Sequence, residues 1–209
     1  MDKKDTLNSA AIGFLVASFL LVLKYSGNIE QLETLPYLET ALILFPLGSM
    51  AIIKVAARLR EKIPFAPQGA KFTLVGALNT FLDLAALNLL VAASGITAGI
   101  GFSVFKGFSF LLAIGNSYLW NKYWTFKGKK ALEQDFLEQS KEFAEFVFIS
   151  GIGFVLNVGA ATAVVTFIDP QFGLSERAWP TVGAIAGTLI VLTWNFLGYR
   201  LIVFKKQLA

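Results

Sequence analysis

Apolar residues fall along this chain in long runs broken by short polar segments. Six runs stand out, at about 7–25, 38–57, 72–94, 100–124, 143–168 and 181–204. A helix that crosses a bilayer needs roughly 20 mostly apolar residues, so each run predicts one membrane span. Ser26-Gly27-Asn28 breaks the chain after the first run, and Asp169-Pro170 breaks it after the fifth. Pro46 lies inside the second run, where it removes a helical hydrogen bond and predicts a kink. Pro64, Pro67 and Gly69 then mark a linker with a shift in composition, which places a module boundary near Ile63. Between the fourth and fifth runs the chain is polar over 127–142, yet Leu132, Phe136, Leu137 and Phe143 recur near helical spacing. That pattern predicts a helix lying on the membrane surface. Lys3 and Lys4 before the first run imitate a secretory leader, but further apolar runs follow, not a cleavage site and a polar domain. The first run therefore reads as a membrane helix.

Composition agrees. Of 209 residues, 56% are hydrophobic and 15% charged, against about a quarter charged in a water-soluble domain. The mean hydropathy is +0.64. Cysteine and histidine are absent, which excludes a disulfide framework, a Cys nucleophile, a Cys/His zinc site and a His general base. No Walker A or nucleotide-sugar motif is visible, so neither catalysis nor a cofactor is expected. A net charge of +4 would suit nucleic acid, but the basic residues sit between apolar runs, where they meet the anionic face of a membrane. No nucleic-acid partner is expected.

Six spans place both termini on one side. That side holds Lys3, Lys4, Lys54, Arg58, Arg60, Lys62, Lys71, Lys122, Lys127, Lys129, Lys130, Lys141, Arg200, Lys205 and Lys206, while the other holds Lys24 and Arg177, a bias of 15 to 2. Lys106 is left within a span. The bias predicts a multi-pass protein of the cell membrane with both termini in the cytoplasm. The fold expected is all-α, with about six transmembrane helices.

The fourth and sixth runs end alike. In each, a cation (Lys122, Arg200) lies four residues before a Phe (Phe126, Phe204), and a Lys follows. On an α-helix that spacing is about one turn, so cation and ring share a face. Setting Phe126 on Phe204 also sets Tyr118 on Phe196 and Ser117 on Asn195, with Asn116 one position away. Setting Phe72 on Phe146 sets Asp83 on Asn157. The last four runs thus read as one hairpin written twice, with a pseudo-twofold axis along the membrane normal. Residues 64–209 would form this duplicated module, and residues 1–63 an added hairpin.

At these residues the sequence resembles the GtrA-like family of small membrane proteins. Family members have a four-helix module that opens on a pattern like Phe-x-x-x-Gly, here Phe72-Thr73-Leu74-Val75-Gly76, with an acidic residue later in the helix, here Asp83. The family's hairpins close on a pattern like Asn-x-x-x-x-Arg-x-Trp-x-Phe. This chain supplies Lys122, Trp124 and Phe126 in the first copy and Asn195, Arg200 and Phe204 in the second. It departs at Ser117 in the Asn place, Lys122 for Arg and Ile202 for Trp. The resemblance covers about residues 65–206 and implies work on polyprenyl-phosphate sugars. Family members are associated with membrane glycosyltransferases that load a sugar onto polyprenyl phosphate in the cytoplasmic leaflet. They are proposed to flip that lipid or to anchor the transferase. A similar module is fused to some polyprenol-phosphate mannose synthases.

On that footing Lys122 and Arg200, with Lys71 and Lys127, are candidates for binding the lipid phosphate. Arg grips phosphate through two donors and Lys as a point charge, although snorkelling anchors use the same residues. Asp83 lies about 11 residues beyond Phe72, roughly 16 Å along a helix and near the midplane. An ionised Asp there costs about 2.5–3.5 kcal/mol and needs a partner. Lys106 is the cation deep in a span, although straight helices leave it nearer the outer face. With Asn79, Asn88, Asn116, Asn157 and Asn195, these two residues are candidates for a polar route. Hydrogen bonds between helices, worth about 0.5–2 kcal/mol each, explain the asparagines equally well. Trp120, Tyr123, Trp124, Trp179 and Trp194 read as an interfacial aromatic belt, and Gly183 with Gly187 as a helix-packing pair.

The function expected is translocation of a polyprenyl-phosphate-linked monosaccharide to the outer leaflet. The expected partners are that lipid and a membrane glycosyltransferase, with association between copies of the chain left open. The alternatives are a scaffold that recruits the transferase through residues 127–141 without moving lipid, and a small-solute transporter.

Overall fold

The computed structural model describes residues 2–26, 30–96, 99–126, 135–171 and 179–205. Its long elements are helices: α1 (Lys3–Tyr25), α3 (Ala41–Leu59), α4 (Ala66–Ser94), α5 (Gly99–Trp120), α6 (Phe136–Phe167) and α7 (Trp179–Gly198), with a single turn, α2 (Glu30–Glu33), after α1. No strand occurs among the described residues. The six long helices coincide with the six apolar runs. Over the described residues, α1, α4 and the segment Leu38–Leu59 containing α3 are each long and apolar enough to cross a membrane. Ile43, Leu44, Leu111, Phe148, Phe154 and Val155 are exposed. Such apolar surface is a liability in water and is what lipid requires of a helix that satisfies its own backbone.

Local chemistry sets the helix ends. Pro67 stands in the first turn of α4, where its missing N–H breaks no bond. Gly95 ends α4 at φ +71 and returns its N–H to the Val91 carbonyl at 2.8 Å. Asp135 caps α6 by accepting the Glu138 N–H at 2.8 Å. This cap starts α6 ahead of the expected fifth span. From Phe136 onward, then, the chain expected to form a separate surface helix over 127–142 is continuous with α6. Residues 127–134 lie outside the described residues.

Packing divides the chain into two compact units, residues 1–125 and 126–209. In the first, α1 packs on α3 and α4, α3 on α4, and α4 on α5. Its core joins Ile12, Val16 and Ile53 to Leu74, Val75, Leu78 and Trp124. Gly13 permits backbone contact between α1 and α3, because a Cβ there would lie 2.5 Å from the Phe45 carbonyl oxygen. In the second unit α6 runs along α7. Its aromatic core holds Phe126, Phe146, Tyr199 and Phe204, each at most 3% exposed.

The ends of α5 and α7 differ from the α-helices the spacing predicts. Each passes into a π-helix, Asn121–Thr125 after α5 and Tyr199–Val203 after α7. The second closes with the Phe204 N–H bonded to the Tyr199 carbonyl, five residues back, at 2.8 Å.

Candidate functional site

The register that sets Phe126 on Phe204 also sets Asn121–Thr125 on Tyr199–Val203, so both π-helices occupy the same place in the repeat. Short π segments inside α-helices recur at functional sites. The two registers also hold across each hairpin. In the first, Ser109 Oγ donates to Asp83 Oδ1 at 2.6 Å. Their counterparts, Gly187 and Asn157, also meet, since a Cβ on Gly187 would lie 2.6 Å from the Asn157 carbonyl oxygen. Asn79 accepts from Asn116 Nδ2 at 2.7 Å. The counterpart of Asn79 is Gly153, which packs against Asn195.

The α4–α5 seam therefore carries a polar ladder. Asp83 and Asn79 lie one turn apart on α4, and Ser109 and Asn116 two turns apart on α5, so side chains of the same face meet across the hairpin. Ser109 is fully buried. Asn79 also donates to the Val75 carbonyl at 2.8 Å. Asn88 donates to the Leu84 carbonyl of its own helix at 2.9 Å. Lys106 lies in α5, about one turn before Ser109, and its side chain is outside the described residues. In the α6–α7 hairpin, Asn157 and Asn195 lie on the seam, and Asn195 Oδ1 is buried without a hydrogen-bond partner among the described residues.

The candidate phosphate ligands are placed unequally. Lys122 is fully buried. Its Nζ donates to Tyr118 Oη at 3.0 Å and lies 5.3 and 5.8 Å from the ring centroids of Tyr118 and Tyr123. Arg200, at the matched position, is partly exposed and makes no ion pair among the described residues. Phe126, counted with the second unit, stacks on Phe204 at 5.1 Å and 15°. Lys71 pairs with Asp5 of α1 at 2.5 Å, and the same carboxylate oxygen accepts from Trp124 Nε1 at 2.9 Å. The Lys71 ammonium lies 5.5 Å from the Trp124 ring. Lys127 is outside the described residues.

Residues 71–204 match the family described as GtrA/DPMS, transmembrane domain. The chain belongs to this family. A protein of Bacillus subtilis (strain 168), described as uncharacterized membrane protein YngA, is 27% identical over 150 residues, which cover 72% of this chain and 86% of that protein. No solved structure matches the chain. With its apolar helices, the family places the chain among multi-pass membrane proteins. The GtrA/DPMS match begins at Lys71 and ends at Phe204, so it takes in the polar ladder and both π-helices.

Several residues of this GtrA/DPMS region gain prominence only from the structure. Ser109 is the partner of Asp83, and its position two turns before Asn116 was its only sequence signal. Asn121 and Thr125 are buried polar residues of the first π-helix. Trp124 and Trp194 depart from the expected interfacial belt. Trp124 is 5% exposed and bonded to Asp5, and Trp194 Nε1 donates to the Ile149 carbonyl at 3.0 Å. Both indoles serve helix packing because their N–H groups find acceptors inside the protein. Gly187 does lie at a helix contact; the surroundings of Gly183 and the side chain of Trp179 are outside the described residues.

Proposed function

We propose that this protein moves a polyprenyl-phosphate-linked monosaccharide from the cytoplasmic to the outer leaflet of the cell membrane, with both of its termini in the cytoplasm. Residues 64–209 are the working module and residues 1–63 an added hairpin. The observation that supports this reading is the polar ladder of Asp83–Ser109 and Asn79–Asn116 within a hairpin of the GtrA/DPMS region. A polyprenyl tail stays in the hydrocarbon, so only the headgroup needs polar company on its way across. Each unit offers cations to the phosphate, Lys71 and Lys122 in the first and Lys127 and Arg200 in the second. Asp83, Asn79, Asn88 and Asn116 exchange their internal hydrogen bonds for bonds to the headgroup, and Lys106, Asn157 and Asn195 are further polar groups offered to it. A membrane glycosyltransferase supplies the loaded lipid, and the chain itself carries out no covalent chemistry.

The test is transfer between leaflets in liposomes that hold the purified protein and a fluorescent short-chain polyprenyl-phosphate sugar. Transfer above that of protein-free vesicles is expected. Its absence across several sugars, with and without the transferase, would sink the proposal and leave the scaffold. That second reading draws on the Asn79–Asn116 pair, since a mutually satisfied pair is also what a plain helix seam needs.

A further inference from the structure

We infer that the π-helix after α5 is a hydroxyl-reading site for the headgroup sugar, built from Asn121 and Thr125 beside Lys122; this rests on the function proposed above. Asn121 is 1% and Thr125 4% exposed. The Asn121 amide NH2 is engaged by the Ser117 carbonyl at 2.9 Å and the Ser117 hydroxyl at 3.3 Å. Asn121 Oδ1 and Thr125 Oγ1 are buried with no hydrogen-bond partner among the described residues. Leaving such atoms unbonded in the interior is destabilising, so each needs a reason.

The second π-helix shows that the fold does not impose these groups. Its matched positions are Tyr199 and Val203, 3% and 5% exposed. The Tyr199 hydroxyl is satisfied by Ser150 Oγ at 2.7 Å, and Val203 has no polar side-chain atom. The same turn, equally buried, is thus closed and largely apolar in one copy and holds two unbonded oxygens in the other.

The chemistry of those oxygens narrows the ligand. A carboxamide oxygen only accepts, so it needs an O–H or N–H and repels phosphate oxygens. A threonine hydroxyl can give or take. Lys122, fully buried with its ammonium on Tyr118 Oη, follows Asn121 in the same π-helix. A ligand that offers hydroxyls close to an anion suits this set, and a sugar joined to a lipid phosphate is such a ligand. Asn121 and Thr125 then read the sugar, and the bare lipid phosphate gains nothing from them.

The test compares farnesyl phosphate with and without a hexose on the phosphate, bound to the purified full chain in detergent. The wild type is expected to bind the hexose form about tenfold more tightly, some 1.4 kcal/mol. Thr125→Val, close in shape, should bring that ratio toward one while leaving farnesyl phosphate binding and the melting temperature unchanged. Asn121→Ala should lower the ratio in the same way. An undiminished hexose preference in both variants would overturn the inference. So would a melting temperature lowered by Thr125→Val, which would show a hydroxyl satisfied internally. Equal binding of the two lipids by the wild type would overturn it and leave lipid translocation standing; binding of neither would overturn both.

Discussion

Replacing Gly187 by alanine tests the tightest described contact of a glycine with the facing backbone in the α6–α7 seam. The new Cβ would lie 2.6 Å from the Asn157 carbonyl oxygen and 3.3 Å from its carbon, where ordinary contact begins at 3.4 Å. Backbone cannot swing aside as a side chain can, so α7 must retreat by roughly 0.8 Å. A shift of that size takes the 3.0 Å bond from Trp194 to the Ile149 carbonyl toward roughly 3.8 Å, beyond useful hydrogen-bond range. Overpacking costs about 1–3 kcal/mol and the lost bond about 1 kcal/mol, while alanine's better helix propensity returns up to about 1 kcal/mol. The net expectation is a loss of about 1–4 kcal/mol. Gly159→Ala on α6 is the control, because its Cβ would meet nothing within 4 Å; it should be neutral or stabilising by up to about 1 kcal/mol. Denaturant titration of both variants in mixed micelles, followed by circular dichroism, measures the difference. Coincident midpoints would refute the close seam.

Asp5→Ala removes the acceptor shared by Lys71 and Trp124 and should cost about 1–3 kcal/mol. In a Lys71→Met background the loss should shrink, and a double-mutant cycle measures the coupling. Phe204→Ala removes a fully buried ring stacked on Phe126 and should cost about 3–5 kcal/mol in the same titration, whereas Phe148→Ala, at a site 67% exposed, should leave the midpoint nearly unchanged. Arg200→Gln should weaken binding of a short prenyl phosphate about tenfold or more, read by thermophoresis, with little change in stability, since this cation makes no ion pair among the described residues.

The sequence exposes the helices because each apolar run must close its own backbone bonds in lipid. It also exposes the repeat: the cation-to-Phe spacing at Lys122–Phe126 and Arg200–Phe204 gives a register that the π-helices, the Asp83–Ser109 contact and the Gly187–Asn157 contact all follow. The π geometry itself was not legible. Asn-Lys-Tyr-Trp-Thr contains no Gly or Pro to break an α-helix, and burial of Trp124 in the unit core is a tertiary feature. The placement of Lys122 is similar. Tyr118 one turn earlier was visible, but complete burial of the ammonium depends on packing. Asp5, the partner of Lys71, could not be found locally, because it reaches Lys71 only through the docking of α1 on α4. Of the residues read as a linker beyond Ile63, Pro64 lies between α3 and α4 while Pro67 and Gly69 fall inside α4, and the core of the first unit joins residues from both sides of them.

The most direct measurement is the initial rate of leaflet transfer of the fluorescent polyprenyl-phosphate sugar by wild type and Asp83→Asn in matched liposomes. The amide oxygen of Asn can still accept from Ser109, so the helix seam keeps its bond while the carboxylate is gone. Passage of the headgroup along the ladder predicts transfer slowed at least about tenfold in a folded variant that still binds the lipid, a barrier raised by about 1.4 kcal/mol. Wild-type transfer rates from folded Asp83→Asn would contradict it.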